Sequence, residues 1–329
     1  MKFSVVIPTF KGNDTLEIAI SSILNQSYDD FEIIISDDNE IGSKEQIATE
    51  LIIEKEKKKS DKIIYLKNGH HNGSYARNRG IKIANGDYIT LLDDDDFYLT
   101  DYLKEANDYL NQNKDVELLF FDVVTITAEN MIKIASYPSI NSKSLLYGYS
   151  EIGTGSNLCF KNRADKKLLF DERYSRHQDI EFACKAMASH KYKWIEKIEI
   201  VKYYNQTDNY PNVDKALRMQ KLLREDMLEN NIISDNELKE LEIKQLHALY
   251  HDLLVKNATK GEIKKVINNL KDTNSYRLID NIIYSMYSVS KKIFNLFIKI
   301  YSKSKFNKID KKLISDIKRI RKELEGKPL

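Results

Sequence analysis

Four consecutive carboxylates, Asp93-Asp94-Asp95-Asp96, follow directly on Tyr88-Ile89-Thr90-Leu91-Leu92. The preceding run is aromatic, β-branched and apolar, the pattern of a buried strand. Two carboxylates about 4 Å apart repel by roughly 1 kcal/mol in water and about 4 kcal/mol at an intermediate dielectric. A strand ending in four acids must therefore open onto solvent or onto a cation. One reading is a solvated turn that caps the next helix. The other is an oxygen-ligand site for a hard divalent ion, Mg²⁺ or Mn²⁺. A second acid pair, Asp37-Asp38, ends the apolar run Phe31-Glu32-Ile33-Ile34-Ile35. Two acidic strand ends in successive βα turns of one sheet favour a nucleotide and a metal. A carboxylate can accept the imide N–H of a base, and a diphosphate needs a cation. Between them, Asn72 to Gly80 carries Arg77 and Arg79 at the start of a helical pattern. Helix N-termini favour anions, and Arg holds phosphates by bidentate bonds. Salt bridges from these arginines to the nearby acids are the alternative.

The elements that must position these residues follow from hydrophobic periodicity. Phe3 to Ile7 reads as a fully buried strand stopped by Pro8. Asp14 and Glu17 suggest a capped helix with a stripe of Leu16, Ala19, Ile20, Ile23 and Leu24. Further helices are expected over 44–58 and 75–84, the latter closed by Asn85-Gly86, and a third strand over 62–66. Strands alternating with helices predict an α/β fold with a doubly wound, mostly parallel sheet. Glu117 to Val124 and Trp194 to Tyr204 read as later strands, and Ile180 to Ala188 as a helix. From Ser139 to Lys161 the chain is irregular, with Gly148, Gly153 and Gly155, and is expected to face substrate. After Pro211 the pattern is helical, with capping-box candidates at Ser234/Glu237 and Thr259/Glu262. The expected division is a catalytic domain over 1–210 and a helical, Lys-rich region over 211–329.

The chain has 329 residues, 42% hydrophobic and 31% charged, with a net charge of +2. This describes a globular protein with room for two domains or one large one. The charge is uneven: residues 291–329 carry thirteen Lys/Arg against four Asp/Glu. Cys159 and Cys184 lack paired spacing, so neither a disulfide framework nor a zinc site is suggested. Phe3 to Ile7 is too short for a secretory h-region, and no run approaches the ~20 apolar residues of a membrane span. The expected location is cytoplasmic.

The segments Val5 to Phe10, Ile23-Leu24-Asn25-Gln26-Ser27-Tyr28, Phe31 to Asp38, Asn72 to Gly80, and Gly86-Asp87-Tyr88-Ile89 running into the acids occur in a telling order and spacing. Together, over roughly the first 100 residues, they resemble family 2 glycosyltransferases of the GT-A fold. A looser likeness continues to about Tyr204. The resemblance implies roles residue by residue. Pro8, Thr9 and Phe10 would border the uracil and ribose of a UDP-sugar. Asp38 would meet the uracil imide, with Asp37 beside it. Arg77 would lie near the diphosphate and the metal acids. The family's D-x-D falls on Asp93-Asp94-Asp95, with Asp95 as the direct ligand of Mn²⁺ or Mg²⁺ and Asp94 near ribose and metal. Asp96 would only start the next helix. In inverting transfer a carboxylate takes the acceptor proton. Asp179 matches that base, with Glu181 and Asp171 as the other candidates. Two departures stand out. Asn39-Glu40 replaces the family's usual Gly-Ser, and Gln178-Asp179 replaces its usual Glu-Asp.

The resemblance implies a glycan or lipid-linked oligosaccharide acceptor, in bacterial surface polysaccharide synthesis, and no nucleic acid. Ile282, Ile283, Met286, Tyr287, Ile293, Phe294, Phe297 and Tyr301 form an apolar stripe bordered by lysines. It suits either an anionic membrane surface or packing on the catalytic domain or on a second subunit. A nucleotidyltransferase would need a Gly-rich, basic loop after the first strand, where Pro8-Thr9-Phe10-Lys11-Gly12-Asn13 stands. A non-catalytic nucleotide-sugar-binding scaffold would need no full set of acids. His70-His71 are expected to face solvent. His177 adjoins the proposed base, as a tuning group or a plain turn residue. His247 and His251 have a metal-compatible spacing, but Ala248-Leu249-Tyr250 between them lacks the glutamate of a zinc protease motif, so the spacing reads as coincidence.

Overall fold

The computed structural model describes all residues except 13, 70, 128–131, 149–151, 153, 164–167, 205–211, 256–257, 290–310 and 326–329. The chain divides into two units, Met1–Gln206 with Ile309–Leu329, and Thr207–Lys308. The expected boundary near Pro211 lies outside the described residues.

The first unit is built on a nine-stranded sheet. Its first half is β1 (Phe3–Thr9), β2 (Phe31–Asp37), β3 (Ile63–Lys67) and β4 (Tyr88–Leu91). These pair in parallel in the order β3-β2-β1-β4. β1 and β2 are buried at every residue, which is why they read as continuous apolar runs rather than alternating ones. The connecting helices are α1 (Leu16–Leu24), α2 (Lys44–Lys57) and α3 (Gly73–Ile83). Asn72 caps α3 by accepting from Tyr75 N–H at 2.9 Å. Gly80 lets α3 pack on β1, since a Cβ there would come within 2.4 Å of Val6. Asp14 does not cap α1. Thr15 takes that position without a side-chain cap bond, because the chain turns back onto the Gly12 carbonyl.

The second half of the sheet is more mixed. After the acids the chain forms β5 (Asp96–Tyr98), then α4 (Tyr102–Gln112), β6 (Leu118–Thr127) and β7 (Ile132–Ala135). The segment expected to be irregular holds α5 (Ser142–Gly148), a 3₁₀ turn (Gly155–Asn157) and β8 (Cys159–Lys161). α6 (Gln178–Ser189) and β9 (Tyr192–Tyr204) follow. β8 runs antiparallel between β4 and β6, and β9 lies between β6 and β5. Asp96 thus begins a strand, not a helix, and pairs with Lys202 across the β5–β9 ladder.

The second unit holds α7 (Val213–Glu229), α8 (Asp235–Val255), α9 (Lys260–Asp272) and α10 (Leu278–Val289). Its core includes Leu246, Tyr250, Leu253, Ile263, Val266 and Tyr287. The capping box at Thr259/Glu262 is formed, and Glu237 accepts from the backbone and hydroxyl of Ser234. α11 (Lys311–Leu324) belongs to the first unit rather than to the helical region. Its Ile317 is buried with Ile18, Phe97 and Val124, so this part of the basic C-terminus is anchored on one apolar side. The lysines from 291 to 305 that border the apolar stripe lie outside the described residues. Among the described residues no helix is long and apolar enough to cross a membrane.

Candidate active site

β1 has β2 on one side and β4 on the other, so strand order reverses direction at its carboxyl end. Open α/β sheets bind ligands in that crevice. Here it is a cavity of about 260 Å³ lined by Pro8, Thr9 and Phe10 after β1, Asp38 after β2, Arg77 on α3, and Asp93, Asp94 and Asp95 after β4. Asn72, Gly73 and Ala76 complete the lining. Phe10 stands exposed at the rim.

The two acids after β2 have separate surroundings. Asp38 lines the cavity and accepts the His71 backbone N–H at 3.1 Å on each oxygen. His71 stacks on Tyr75 with ring centroids 4.0 Å apart. Its backbone therefore holds Asp38 from outside the cavity lining, and its side chain is open to solvent as expected; His70 lies outside the described residues. Asp37 is fully buried outside the cavity lining. One of its oxygens takes the Tyr65 hydroxyl at 2.6 Å and the other takes the backbone and side-chain N–H of Asn39 at 2.8 Å. Asn39 also accepts Lys11 N–H at 3.0 Å, so it ties the loop after β2 to the loop after β1. Asn39, not the usual glycine, thus has a framework task here.

The four consecutive acids divide sharply. Asp93 accepts Arg77 Nη2 at 2.6 Å, and its backbone N–H donates to Ser156 Oγ at 2.9 Å. Asp94 accepts the Thr9 hydroxyl at 2.6 Å and rests on Gly12, where any Cβ would collide with the carboxylate at 1.8 Å. Asp96 is buried and takes the hydroxyls of Thr154 and Ser156, each at 2.6 Å. Asp95 is exposed, and among the described residues no other side chain donates to it. Carboxylate oxygens of Asp93, Asp95 and Asp96 lie within 4.8 Å of one another. Asp96 Oδ1 is buried with no partner. An all-oxygen set with one orphaned buried oxygen and one free acid fits a hard divalent ion.

Below the acids, Thr90 bonds the hydroxyls of Tyr98 and Tyr102 at 2.8 and 2.7 Å, and those two rings stack at 3.7 Å. Tyr98 donates to the Leu91 carbonyl and, at 2.9 Å, to that of Ser156. This core pins the loop from both strands and from the 3₁₀ turn. Arg77 faces the site while Arg79, two residues on along the helix, is exposed. Arg77 Nη1 donates to Gln178 Oε1 at 2.9 Å, so one guanidinium bridges the acids and the start of α6. His177 precedes that helix in the left-handed region at φ 62°, and Asp179 lies in the first turn. Asp179 has no hydrogen bond or ion pair to another described residue. The other candidate bases are engaged: Glu181 is buried against Lys185 at 2.5 Å, and Asp171 clamps Arg173 at 2.6 Å. Burial would lower the Lys202 ammonium, but Asp96, Asp93, Asp95 and Asp179 together hold it above its usual value. One cation thus feels both the acid loop and Asp179.

Electrostatics separates the acids further. Burial would raise Asp93, but Arg77 and Lys202 outweigh it and keep the carboxyl below its ordinary range. Burial, with Asp95 and Asp93 adding repulsion, pushes Asp94 up to about 7. Burial also drives Asp96 to about 7, with Lys202 opposing. Asp95, open to solvent on one side, is raised by the desolvating acid loop around its carboxyl and by Asp93. His177 is pushed down to about 4 by burial and by Arg176, so it is neutral at pH 7.

With ordinary carboxyl values of 3.8, the unfolded chain has released protons that folded Asp94 and Asp96 still hold. Their stabilising contribution is complete below about pH 4 and is lost as pH rises through about 7. In EDTA the melting temperature should fall between about pH 4 and 7, and the increment from Mn²⁺ should grow over the same range. Glu199, also raised to about 7 by burial and neighbouring acids, adds to the fall but not to the metal increment. A Mn²⁺ increment independent of pH, measured by thermal unfolding, would remove the acid loop from this account.

Sequence reading missed Thr154, Ser156, Lys202, Gly12 and the bridging role of Gln178. Only the glycine-marked irregularity around Gly155 pointed toward the first two.

The profile of glycosyl transferase family 2 matches residues 4–169. An uncharacterized glycosyltransferase of Methanocaldococcus jannaschii is 33% identical over 225 residues, 67% of this chain and 75% of that protein. The Escherichia coli UDP-Glc:alpha-D-GlcNAc-diphosphoundecaprenol beta-1,3-glucosyltransferase WfaP is 30% identical over 148 residues, 44% of this chain and 55% of that protein. The match therefore spans little more than half of WfaP. Among solved structures, S. aureus TarS 1-349 in complex with UDP-GlcNAc superposes with a TM-score of 0.63. The superposition covers 90% of this chain and 89% of that one, at 15% identity, and speaks for the fold.

Proposed function

Because the chain belongs to glycosyl transferase family 2, we propose that it moves a sugar from a UDP-sugar to a hydroxyl of a glycan or lipid-linked acceptor, with inversion and with a divalent ion. The observation that carries this reading is the convergence on one cavity of Asp38, Arg77 and the acids after β4, with Asp95 left free. The names of the relatives support the donor and acceptor classes: WfaP is named for UDP-Glc and a diphosphoundecaprenol acceptor, and TarS was crystallised with UDP-GlcNAc.

Asp38 accepts the uracil imide, held in place by the His71 backbone. Thr9 and Asp94 form the wall on the ribose side. Arg77, fixed by Asp93 and Gln178, stands where the diphosphate lies, and Lys202 adds positive charge below it. Asp95, with Asp93 and Asp96, would hold a Mn²⁺ or Mg²⁺ ion, which when bound would supply Lewis-acid stabilisation of the leaving diphosphate. Asp179 takes the proton of the acceptor hydroxyl. The acceptor oxygen then bonds to the anomeric carbon as the bond from that carbon to the phosphate oxygen breaks and UDP departs.

Nucleotidyl transfer fits less well. The loop after β1 is folded onto Asp94 through Gly12 rather than into a phosphate cradle. A screen of UDP-sugars for Mn²⁺-dependent UDP release should find at least one substrate. Absence of UDP binding by calorimetry with Mn²⁺ present would overturn the proposal, and turnover with a sugar phosphate and UTP would transfer it to the rival class.

A further inference from the structure

The second unit holds a different donor set. His247 and His251 are four residues apart on one face of α8, as i and i+4 positions must be. Asp280, near the start of α10, meets them, and ligand atoms of the three lie within 4.8 Å of one another. Asp280 is fully buried. Its Oδ2 accepts the backbone N–H of Arg277 at 2.8 Å and Arg277 Nε at 3.3 Å. Its Oδ1 is buried with no hydrogen-bond partner and stands 3.7 Å from His247 Nδ1.

The opposite ring nitrogen fixes the chemistry of that contact. His247 Nε2 lies 3.1 Å from the Ser275 carbonyl oxygen, which can only accept, so Nε2 carries the proton. In neutral imidazole Nδ1 is then a bare lone pair. A lone pair and an unpartnered carboxylate oxygen face each other, an arrangement that calls for a positive charge between them. A proton on Nδ1 would have to span 3.7 Å, beyond hydrogen-bond range. The Arg277 guanidinium reaches only the edge of the gap, with Nη2 3.5 Å from Nδ1, and its side chain is 60% exposed. By contrast, two ligands each about 2.1 Å from a tetrahedral ion lie roughly 3.4 Å apart, close to the separation found. His251 is exposed, which gives an ion an entry side and a place for water. The carbonyl behind His247 and the Arg277 backbone N–H behind Asp280 are the outer contacts that orient metal ligands.

We propose that His247, His251 and Asp280 bind a divalent transition-metal ion of the zinc type, which ties α8 to α10. The two-nitrogen, one-oxygen set favours Zn²⁺, Co²⁺ or Ni²⁺ over the hard ions that suit the aspartates after β4. The site does not depend on the sugar-transfer reading. Arg277 is the cation displaced when the ion enters.

The test uses the full chain, stripped with EDTA and then saturated with Mg²⁺ to fill the aspartate site. Titration with Co²⁺ should give one equivalent with the visible ligand-field spectrum of a nitrogen-ligated ion, and Zn²⁺ should raise the melting temperature. His251→Ala, at an exposed position that leaves packing intact, should weaken this binding at least 100-fold and abolish the shift. Asp95→Ala should leave both unchanged, and Arg277→Gln should tighten binding. Asp280→Asn should lose the ion too, but Asp280 also holds the start of α10, so His251→Ala decides. An identical titration and spectrum for wild type and His251→Ala would overturn the proposal.

Discussion

Asp179→Asn is expected to lower kcat for sugar transfer by roughly 10²–10⁴-fold, the usual contribution of a positioned general base, while leaving UDP-sugar affinity within about twofold. The substitution keeps the shape of the side chain and removes its ability to take a proton. Affinity should hold because Asp179 is absent from the cavity lining that would seat the nucleotide. Two features favour Asp179 over its neighbours. Its carboxylate is uncommitted, whereas Glu181 pairs with Lys185 inside the fold and Asp171 pairs with Arg173. It also lies in the first turn of α6, next to the residue that Arg77 grips. The arrangement makes Gln178 informative. A glutamate there would give Arg77 a second acid to pair with; the glutamine keeps the position while leaving the guanidinium charge to Asp93 and the diphosphate. Single-turnover transfer assays, with donor affinity from calorimetry, separate the two quantities. Retained transfer in Asp179→Asn would rule out this residue as the base, whatever its effect on binding.

The part of the site that the sequence displayed is the part built on fully buried parallel strands. β1, β2 and β4 are buried along their whole length and mostly apolar, so their ends are visible as abrupt changes to Thr9, Asp37-Asp38 and the four acids. Where strands are antiparallel or short, the signal fails. β5 is three residues long, and its first residue, Asp96, looked like a helix start because carboxylates also favour caps. Lys202 stands in Ile200-Val201-Lys202-Tyr203, where alternation makes a lysine look like a solvent-facing position. Only the pairing of β9 with β5 brings it to Asp96. Thr154 and Ser156 are about 60 residues from the acids whose backbone and carboxylates they hold. No local pattern carries such a contact, because hydroxyl-to-carboxylate bonds have no periodicity. Asp37 is the converse case: its position beside Asp38 pointed to the nucleotide, yet alternation along β2 turns its side chain to Tyr65 and Asn39, away from the cavity.

The division of labour among the four acids predicts that they will not respond alike. Asp95→Ala should abolish the Mn²⁺-dependent part of UDP affinity, a loss of about 100-fold or more, since even outer-shell partners of a metal are worth 10–100-fold. It should leave UDP affinity in EDTA unchanged, and the fold should be unharmed because the side chain is exposed. Asp96→Ala is expected to behave differently. It would strip Thr154 and Ser156 of their shared acceptor and loosen the loop that Tyr98 pins, so its melting temperature should drop along with metal affinity. Asp96 is also one of the two acids of this loop held near 7 by burial, so removing it should flatten the pH dependence of stability in EDTA, an effect Asp95→Ala should share only weakly. The contrast rests on one structural fact, that Asp95 alone among the four has no side-chain donor of its own. Calorimetric UDP titrations with and without Mn²⁺, run beside thermal unfolding, read both halves. Unchanged Mn²⁺-dependent affinity in Asp95→Ala would mean that the ion is held by Asp93 and Asp96 instead, and that the exposed acid serves the sugar rather than the metal.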